Sequence, residues 1–268
     1  MRLLLFESIN LVYQRRWLVI FPVLTVITLF AIDSVSCRAE NLHMVVNIWD
    51  GPCAVFFDTN YFIFAVILMF VVIVSSSLIR DLSGSYQLVV LTRAKRLSWL
   101  NAKIGAIFFT ALVYVLIGVL VTLIVSAFFL PWGSSFSQFA IRLGLSQQYY
   151  YYLSSASRPV TFFSAMCLYT AFAFTVFMLI PLVLSLMTKR NQVIIIIPLA
   201  LLVLSRLGVA FLPSSYLKYD LVTRLAFIIH YVPMPTVPFT LSSSLLYLGC
   251  LGIASWLIGA FAVLYSDI

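Results

Sequence analysis

The feature that most constrains this chain is a set of long stretches that contain almost no Asp, Glu, Lys or Arg. The hydrocarbon core of a bilayer is about 30 Å thick, and about 20 helical residues are needed to cross it. Stretches of this length predict membrane-spanning helices, and we expect six of them. Their expected bounds are Trp17 to about Ser36, Tyr61 to Ile79, Ile104 to Leu130, Val160 to Thr188, Val193 to Leu212, and about Leu241 to Ser266.

The composition excludes a water-soluble domain. Of the 268 residues, 63% are apolar and 9% are charged, whereas about 25% of a typical soluble domain is charged. So few charges would leave apolar surface patches larger than soluble monomers tolerate. An aromatic content of 16% also excludes a disordered chain, a collagen and a coiled coil. We therefore predict an all-α integral membrane protein, with residues 17–268 as a six-span transmembrane domain.

Residues 1–16 predict an amphipathic helix that lies on the membrane surface. Apolar side chains recur there at helical spacing, which places them on one face. They are Leu5, Phe6, Ile9, Val12 and Tyr13. The alternative is a simple lead into the first span.

The external segment 213–240 contains a second unusual stretch. Leu221 to Tyr231 is mostly apolar, and three prolines follow it at positions 233, 235 and 238. One interpretation is a re-entrant segment that dips into the membrane before the last span, which requires protein or water to satisfy its backbone. The other is an interfacial helix that lies flat.

The distribution of Lys and Arg predicts the orientation, because cytoplasmic loops carry an excess of both. With both termini in the cytoplasm, the inner segments hold ten of these residues and the outer segments hold five. The inner ones are Arg2, Arg15, Arg16, Arg80, Arg93, Lys95, Arg96, Lys103, Lys189 and Arg190, and the outer ones are Arg38, Arg142, Arg158, Lys218 and Arg224. The net charge of +8 thus reflects topology, and we expect no nucleic-acid partner.

Residues suited to catalysis are scarce in the predicted spans. Asp33, near the outer end of the first span, is the only carboxylate in them, and the sequence contains neither an HExxH motif nor the Gly-Lys pair of a Walker A phosphate loop. The spacing of Cys and His matches no metal site. We predict no enzymatic activity, no metal site and no cofactor in this chain. Cys37 and Cys53 share the first external loop, where they either form a disulfide or remain free.

Arg206 is the one formal charge deep within a predicted span. Such a charge is costly in a bilayer, which makes it a candidate for the substrate path. The alternative is that its side chain extends toward the outer interface and pairs with Asp220 or a helix carbonyl.

The inner loop 80–103 is too apolar for a simple connector. Apolar side chains recur at helical spacing, interleaved with three cations. The apolar residues are Tyr86, Val89, Val90, Leu97 and Leu100, and the cations are Arg93, Lys95 and Arg96. The pattern is typical of a short helix at the membrane edge that binds either a soluble partner or lipid headgroups.

This loop resembles the second-to-third loop of permease subunits of ABC-type exporters, in the six-span class called type 2. That loop commonly carries a charged pair, a Gly-Ser or Gly-Thr, a Leu-rich turn, a Thr or Ser, a basic pair and a Lys that opens the third span. The matching positions are Arg80 and Asp81, Gly84 and Ser85, Leu88 to Leu91, Thr92, Lys95 and Arg96, and Lys103. Arg93 stands where a Pro is usual, and Gln87 where an acid is frequent.

The resemblance implies a multi-pass permease subunit in the cell membrane that exports an amphipathic substrate, such as a peptide, a lipid or a drug-like molecule. A separate ABC ATPase subunit would bind the ATP and Mg²⁺, and a second permease copy or a related permease would complete a homo- or heterodimer. The implied ATPase-docking residues are Gly84, Ser85, Tyr86, Leu88, Val89, Thr92, Arg96 and Lys103. A secondary carrier or channel, and a membrane scaffold without transport activity, are the alternatives.

Overall fold

The computed structural model describes Glu7 and residues 15–83, 96–143, 158–211, 219–227 and 240–265. These residues form helices and no strand. The helices are α1 (Ile20–Asn41), α2 (Asp50–Phe57), α3 (Leu68–Ser83), α4 (Arg96–Phe129), α5 (Gln138–Leu143), α6 (Pro159–Thr188), α7 (Val193–Phe211), α8 (Leu221–Leu225) and α9 (Leu241–Tyr265).

Five helical stretches in the described residues are long and apolar enough to cross a membrane. They are Trp17–Asn41, Phe62–Leu82, Arg96–Phe129, Pro159–Thr188 and Leu241–Tyr265. The stretch predicted as the fifth span forms α7, whose apolar part, Val193–Gly208, is shorter than these five. The prediction of an all-α, multi-pass membrane protein is confirmed, and five of the six predicted spans meet the length criterion.

Helix α6 lies at the centre of the bundle. It packs against α4, α7 and α9, while α1 packs against α4 and α3 packs against α7. Aromatic side chains fill the centre, where the Phe70 and Phe174 rings lie 4.7 Å apart. Tyr114 on α4 donates its hydroxyl to the Val66 carbonyl at 2.9 Å. Val66 belongs to the π-helical segment Phe62–Ile67 that leads into α3, so this bond ties α4 to the start of the second span.

Large apolar side chains cover the outer faces of α1 and α9. Phe30 is 65% exposed and Phe261 is 63% exposed. In water these faces would be unfavourable, but lipid is as apolar as they are. The exposed faces therefore agree with helices that contact a bilayer.

Successive spans run in opposite directions, so that the bundle has two ends. Lys103 near the start of α4 contacts Asp81 near the end of α3. Arg206 near the far end of α7 contacts Asn60, which precedes α3, and Asn60 lines a cavity together with Asp50. We call these the Lys103 end and the Asp50 end.

Two predicted peripheral segments are described only in part. Of residues 1–14, which contain most of the expected amphipathic helix, the structure describes Glu7 alone, and it is helical and buried. In the external segment 213–240, α8 packs against α6 and α7. Its Val222 and Leu225 are buried, whereas residues 228–239 lie outside the described part of the chain.

Candidate functional site

A buried lysine forms the centre of the candidate site. Lys103 is only 1% exposed. Its Nζ donates to Glu7 Oε2 at 2.5 Å and to Asp81 Oδ2 at 2.7 Å. Both carboxylates are buried as well. We call these three residues the Lys103 cluster.

Arg80 adds a second cation at the edge of the cluster. Its side chain is largely exposed, and its Nε atom lies 3.8 Å from Asp81 Oδ1. Opposite charges at these distances matter because a buried charge left without its partner is strongly destabilising.

The Lys103 cluster joins three parts of the chain that are distant in sequence. Glu7 belongs to the N-terminal segment, Asp81 to the last turns of α3, and Lys103 to the first turns of α4. Asp81 and Lys103 lie on either side of residues 84–95, the central part of the inner loop 80–103 that carries the implied ATPase-docking residues. The cluster therefore holds the end of α3, which precedes residues 84–95, against the start of α4, which follows them.

Most of the predicted ATPase-docking residues lie outside the described part of the chain. These are Gly84, Ser85, Tyr86, Leu88, Val89 and Thr92. The remaining two, Arg96 and Lys103, belong to α4. The structure brings Lys103 into the ion cluster and places Arg96 at the first turn of the helix.

The described helices extend into the predicted loop from both sides. Helix α3 continues to Ser83 and α4 already begins at Arg96, although we predicted a span start at Ile104. Leu100, which we placed on the apolar face of a helix at the membrane edge, is fully buried within the bundle instead. Because Glu7 and Asp81 neutralise Lys103, the packed helix continues past a charge that we took as its boundary.

Two hydrogen bonds attach the first turns of α4 to the last helix. Arg96 Nη1 donates to the Val263 carbonyl at 3.2 Å. Trp256 Nε1 donates to Asn101 Oδ1 at 2.8 Å. The Lys103 end thus gathers the N-terminal Glu7, both flanks of residues 84–95 and the C-terminal half of α9.

Arg206 lies at the opposite end of the bundle. Its Nη2 donates to Asn60 Oδ1 at 3.2 Å, and its guanidinium carbon lies 5.7 Å from the centre of the Phe64 ring. The Asp220 carboxylate, which we considered as a partner, accepts hydrogen bonds from Ser205 and Thr223. Arg206 therefore links α7 to the start of the second span.

A polar network holds the connections at the Asp50 end. Asp50 is 2% exposed, and its two carboxylate oxygens accept from the Ser137 hydroxyl and the Asn47 amide N–H, each at 2.6 Å. Burial raises the pKa of Asp50 to about 6, although both hydrogen bonds act in the opposite direction. Trp49 Nε1 donates to the Gly133 carbonyl at 2.8 Å. The network joins the connection before α2 to the one before α5.

Metal and disulfide chemistry find little support in the described residues. No three His, Cys, Asp or Glu side chains come together there as potential metal ligands. Cys37 is exposed and Cys53 is buried, and both are free thiols. The open question of a disulfide between them is answered in favour of free thiols in this structure.

Sequence reasoning missed two features that the structure makes prominent. It did not pair Glu7 with Lys103, since no local pattern reports a contact across 96 positions. It also missed α2, although Asp50, Gly51 and Pro52 precede an apolar run. An acid and a proline in a first turn, followed by apolar residues, form a helix-start signal that was available in the sequence.

Comparisons of the chain with protein-family models, with curated proteins and with solved structures find no match.

Proposed function

We propose that this chain is the permease subunit of an ATP-driven ABC transporter of the six-span export class. The observation that carries the proposal is the Lys103 cluster, which locks the two helices that flank residues 84–95. A docking segment can transmit a displacement only if its ends are firmly attached to the helices that must move. The ion pair between Asp81 and Lys103 provides this attachment on both sides.

The contacts of α4 suggest how a displacement would spread. Helix α4 packs along α6, the central helix, and along α1. Arg96 and Asn101 attach its first turns to α9. A movement of residues 84–95 would therefore tilt α3 and α4 together and carry α9 with them. Glu7 extends the same connection to the N-terminal segment.

The proposal includes a topology. Helix α7 serves as the fifth of six spans, and the Lys103 end faces the cytoplasm with both termini. The excess of Lys and Arg in the segments at this end supports that orientation. The cytoplasmic ATPase would then meet the side of the bundle that carries residues 84–95.

The other components follow from this assignment. ATP and Mg²⁺ bind to a partner ATPase subunit, and a second permease, identical or related, completes the transporter in the cell membrane. The substrate class is an amphipathic molecule, because the spans carry few charges and large apolar surfaces.

Co-purification tests this function. We expect the tagged protein, extracted in a mild detergent, to retain an ATPase that carries a Walker A loop and hydrolyses ATP. Mass spectrometry identifies the bound protein, and phosphate release measures its activity. If the protein purifies without any such ATPase and still transports in vesicles that contain no ATP, the proposal is wrong.

A secondary carrier is the second candidate, and one observation favours it. Glu7 and Asp81 are carboxylates buried beside a lysine, and proton-coupled carriers use buried carboxylates. Uptake that a pH gradient drives in ATP-free vesicles would support this candidate over the first.

A further inference from the structure

The Asp50 end contains a cavity of about 410 Å³ between α1, α2 and α5. Its wall combines three charged side chains with aromatic rings. The charged residues are Arg38, Asp50 and Asp58, and the aromatic ones are Phe57, Tyr61 and Phe139. With two carboxylates and one guanidinium, the formal charge of the lining is negative.

Both carboxylates are held in place by donors from the protein. Asp50 accepts hydrogen bonds from Ser137 and from the Asn47 amide. Asp58 Oδ1 accepts from the backbone N–H groups of Asn60 and Tyr61, at 2.8 and 3.2 Å. A carboxylate offers about four acceptor positions, so that each keeps acceptor capacity beyond these bonds. Acceptors that are already oriented lose little entropy when they bind a ligand.

Arg206 gives the cavity a connection to the rest of the bundle. Its guanidinium donates to Asn60, and Asn60 lines the cavity. The charge predicted deep within a span, Arg206, therefore supports the wall of this cavity from α7.

A second cavity has a lining that differs in chemistry from the cavity at the Asp50 end. It measures about 510 Å³ and lies between α4, α6 and α9. Its lining is apolar apart from Thr175 and Trp256, and it includes no charged residue. An apolar chain would find contacts there, but a charged group would find no partner.

We propose that the cavity at the Asp50 end is a binding site for amphipathic molecules that carry a primary amine. The ammonium group would bind to Asp50 and Asp58, and the apolar part would pack against Phe57 and Phe139. This inference concerns ligand binding alone, and it holds whether or not the chain works with an ATPase.

Three probes of equal chain length test the site. Octylamine, octanol and octanoate are each titrated into the purified protein in an uncharged detergent at pH 7.5, and thermal unfolding is followed. We expect octylamine to raise the midpoint in a saturable manner, since a ligand that binds only the folded protein stabilises it. Octanol and octanoate should not do so.

A matched pair of variants locates the effect. Asp58→Asn should weaken the apparent affinity for octylamine about tenfold or more, because it removes a charged hydrogen-bond acceptor. Asparagine still caps the following turn, so that the ligand-free protein should melt near the wild-type temperature. Asp33→Asn removes the same charge from an exposed position on α1 that does not line the cavity, and it should leave the affinity unchanged.

Three results would overturn the proposal. Equal stabilisation by octanol and octylamine would show that only the apolar chain is bound. Stabilisation by octanoate alone would assign the cavity to anions at Arg38. An equal loss of affinity in Asp33→Asn and Asp58→Asn would reduce the effect to general surface charge.

Discussion

Lys103 Nζ lies 2.7 Å from Asp81 Oδ2, although the two residues belong to different helices and enclose residues 84–95 between them. Glu7 approaches the same ammonium group from the N-terminal segment at 2.5 Å. Three segments of the chain therefore meet at one cation.

Removal of that cation should be strongly destabilising. Lys103→Met would remove the cation that lies between two buried carboxylates, and breaking a buried ion pair in this way costs about 3 to 5 kcal/mol. We expect low yield or a large drop in the thermal unfolding midpoint in detergent. Arg190→Met, which removes an exposed cation beyond the end of α6, is the control and should melt like the wild type.

The cluster also predicts coupling between its members. In the double variant Lys103→Met with Asp81→Asn, one of the two carboxylates that faced the lost cation is gone as well. The combined loss of stability should be smaller than the sum of the single losses by about 0.5 to 3 kcal/mol. Strict additivity would mean that the two side chains do not interact.

Asp50 should make stability depend on pH. Its pKa is raised from 3.8 to about 6 by burial, so that the folded state holds the proton more tightly than the unfolded state. Stability therefore falls as the pH rises from about 4 to 6, by up to about 3 kcal/mol, and is flat above that window. The unfolding midpoint of the wild type should therefore fall across this range relative to that of Asp50→Asn, which has no carboxylate to titrate at this position. A constant difference between them would mean that the Asp50 pKa is ordinary.

Gly51 predicts a steric effect at the contact between α2 and α4. A Cβ at this position would lie 1.7 Å from Ser126 Oγ and 3.0 Å from Ser126 Cβ. Gly51→Ala should destabilise by about 1 to 3 kcal/mol through overpacking. Adding Ser126→Ala removes the closest atom and should restore part of the loss in a melting experiment. A Gly51→Ala variant as stable as the wild type would contradict this packing.

The contact between Arg206 and Asn60 predicts how substitutions at these two positions change stability. Arg206→Lys keeps a cation near the amide oxygen and should cost little, whereas Arg206→Leu should cost about 1 kcal/mol, and Asn60→Ala a similar amount. Thermal unfolding measures the stability of all three variants. If Arg206→Lys instead changes which compounds are transported at a normal protein level, Arg206 belongs to the substrate path.

The sequence alone was sufficient for the class of fold and insufficient for the contacts. Spans are readable because lipid excludes charge over lengths of about 20 residues, and stretches such as Val160 to Thr188 were placed nearly as the structure has them. The start of α4 was misplaced because the neutralisation of Lys103 depends on Glu7, a residue 96 positions away. Pairings over such distances leave no local pattern in one sequence.

The candidate site was likewise predicted only in part. The positions of Asp81 and Lys103 on either side of the loop were singled out through the resemblance to permeases, but their mutual contact was not predicted. Leu100 was assigned to the apolar face of a helix at the membrane edge from helical spacing, which gives the face of a helix but not its neighbour. The structure places it in the core instead.

The central claim is that residues 84–95 dock an ATPase, and the most direct test is the amount of ATPase that co-purifies with loop variants. If the side chain of Tyr86 or Leu88 becomes fully buried against the ATPase, it should contribute about 1.5 to 3 kcal/mol, or roughly ten- to a hundredfold in affinity. Tyr86→Asp and Leu88→Asp should therefore reduce co-purified ATPase and its stimulated rate, while protein level and melting temperature stay near wild type. Arg93→Ala and Lys95→Ala are the matched variants, and they should matter most only if the segment binds anionic headgroups. Unchanged ATPase yield and rate in Tyr86→Asp and Leu88→Asp would contradict the claim.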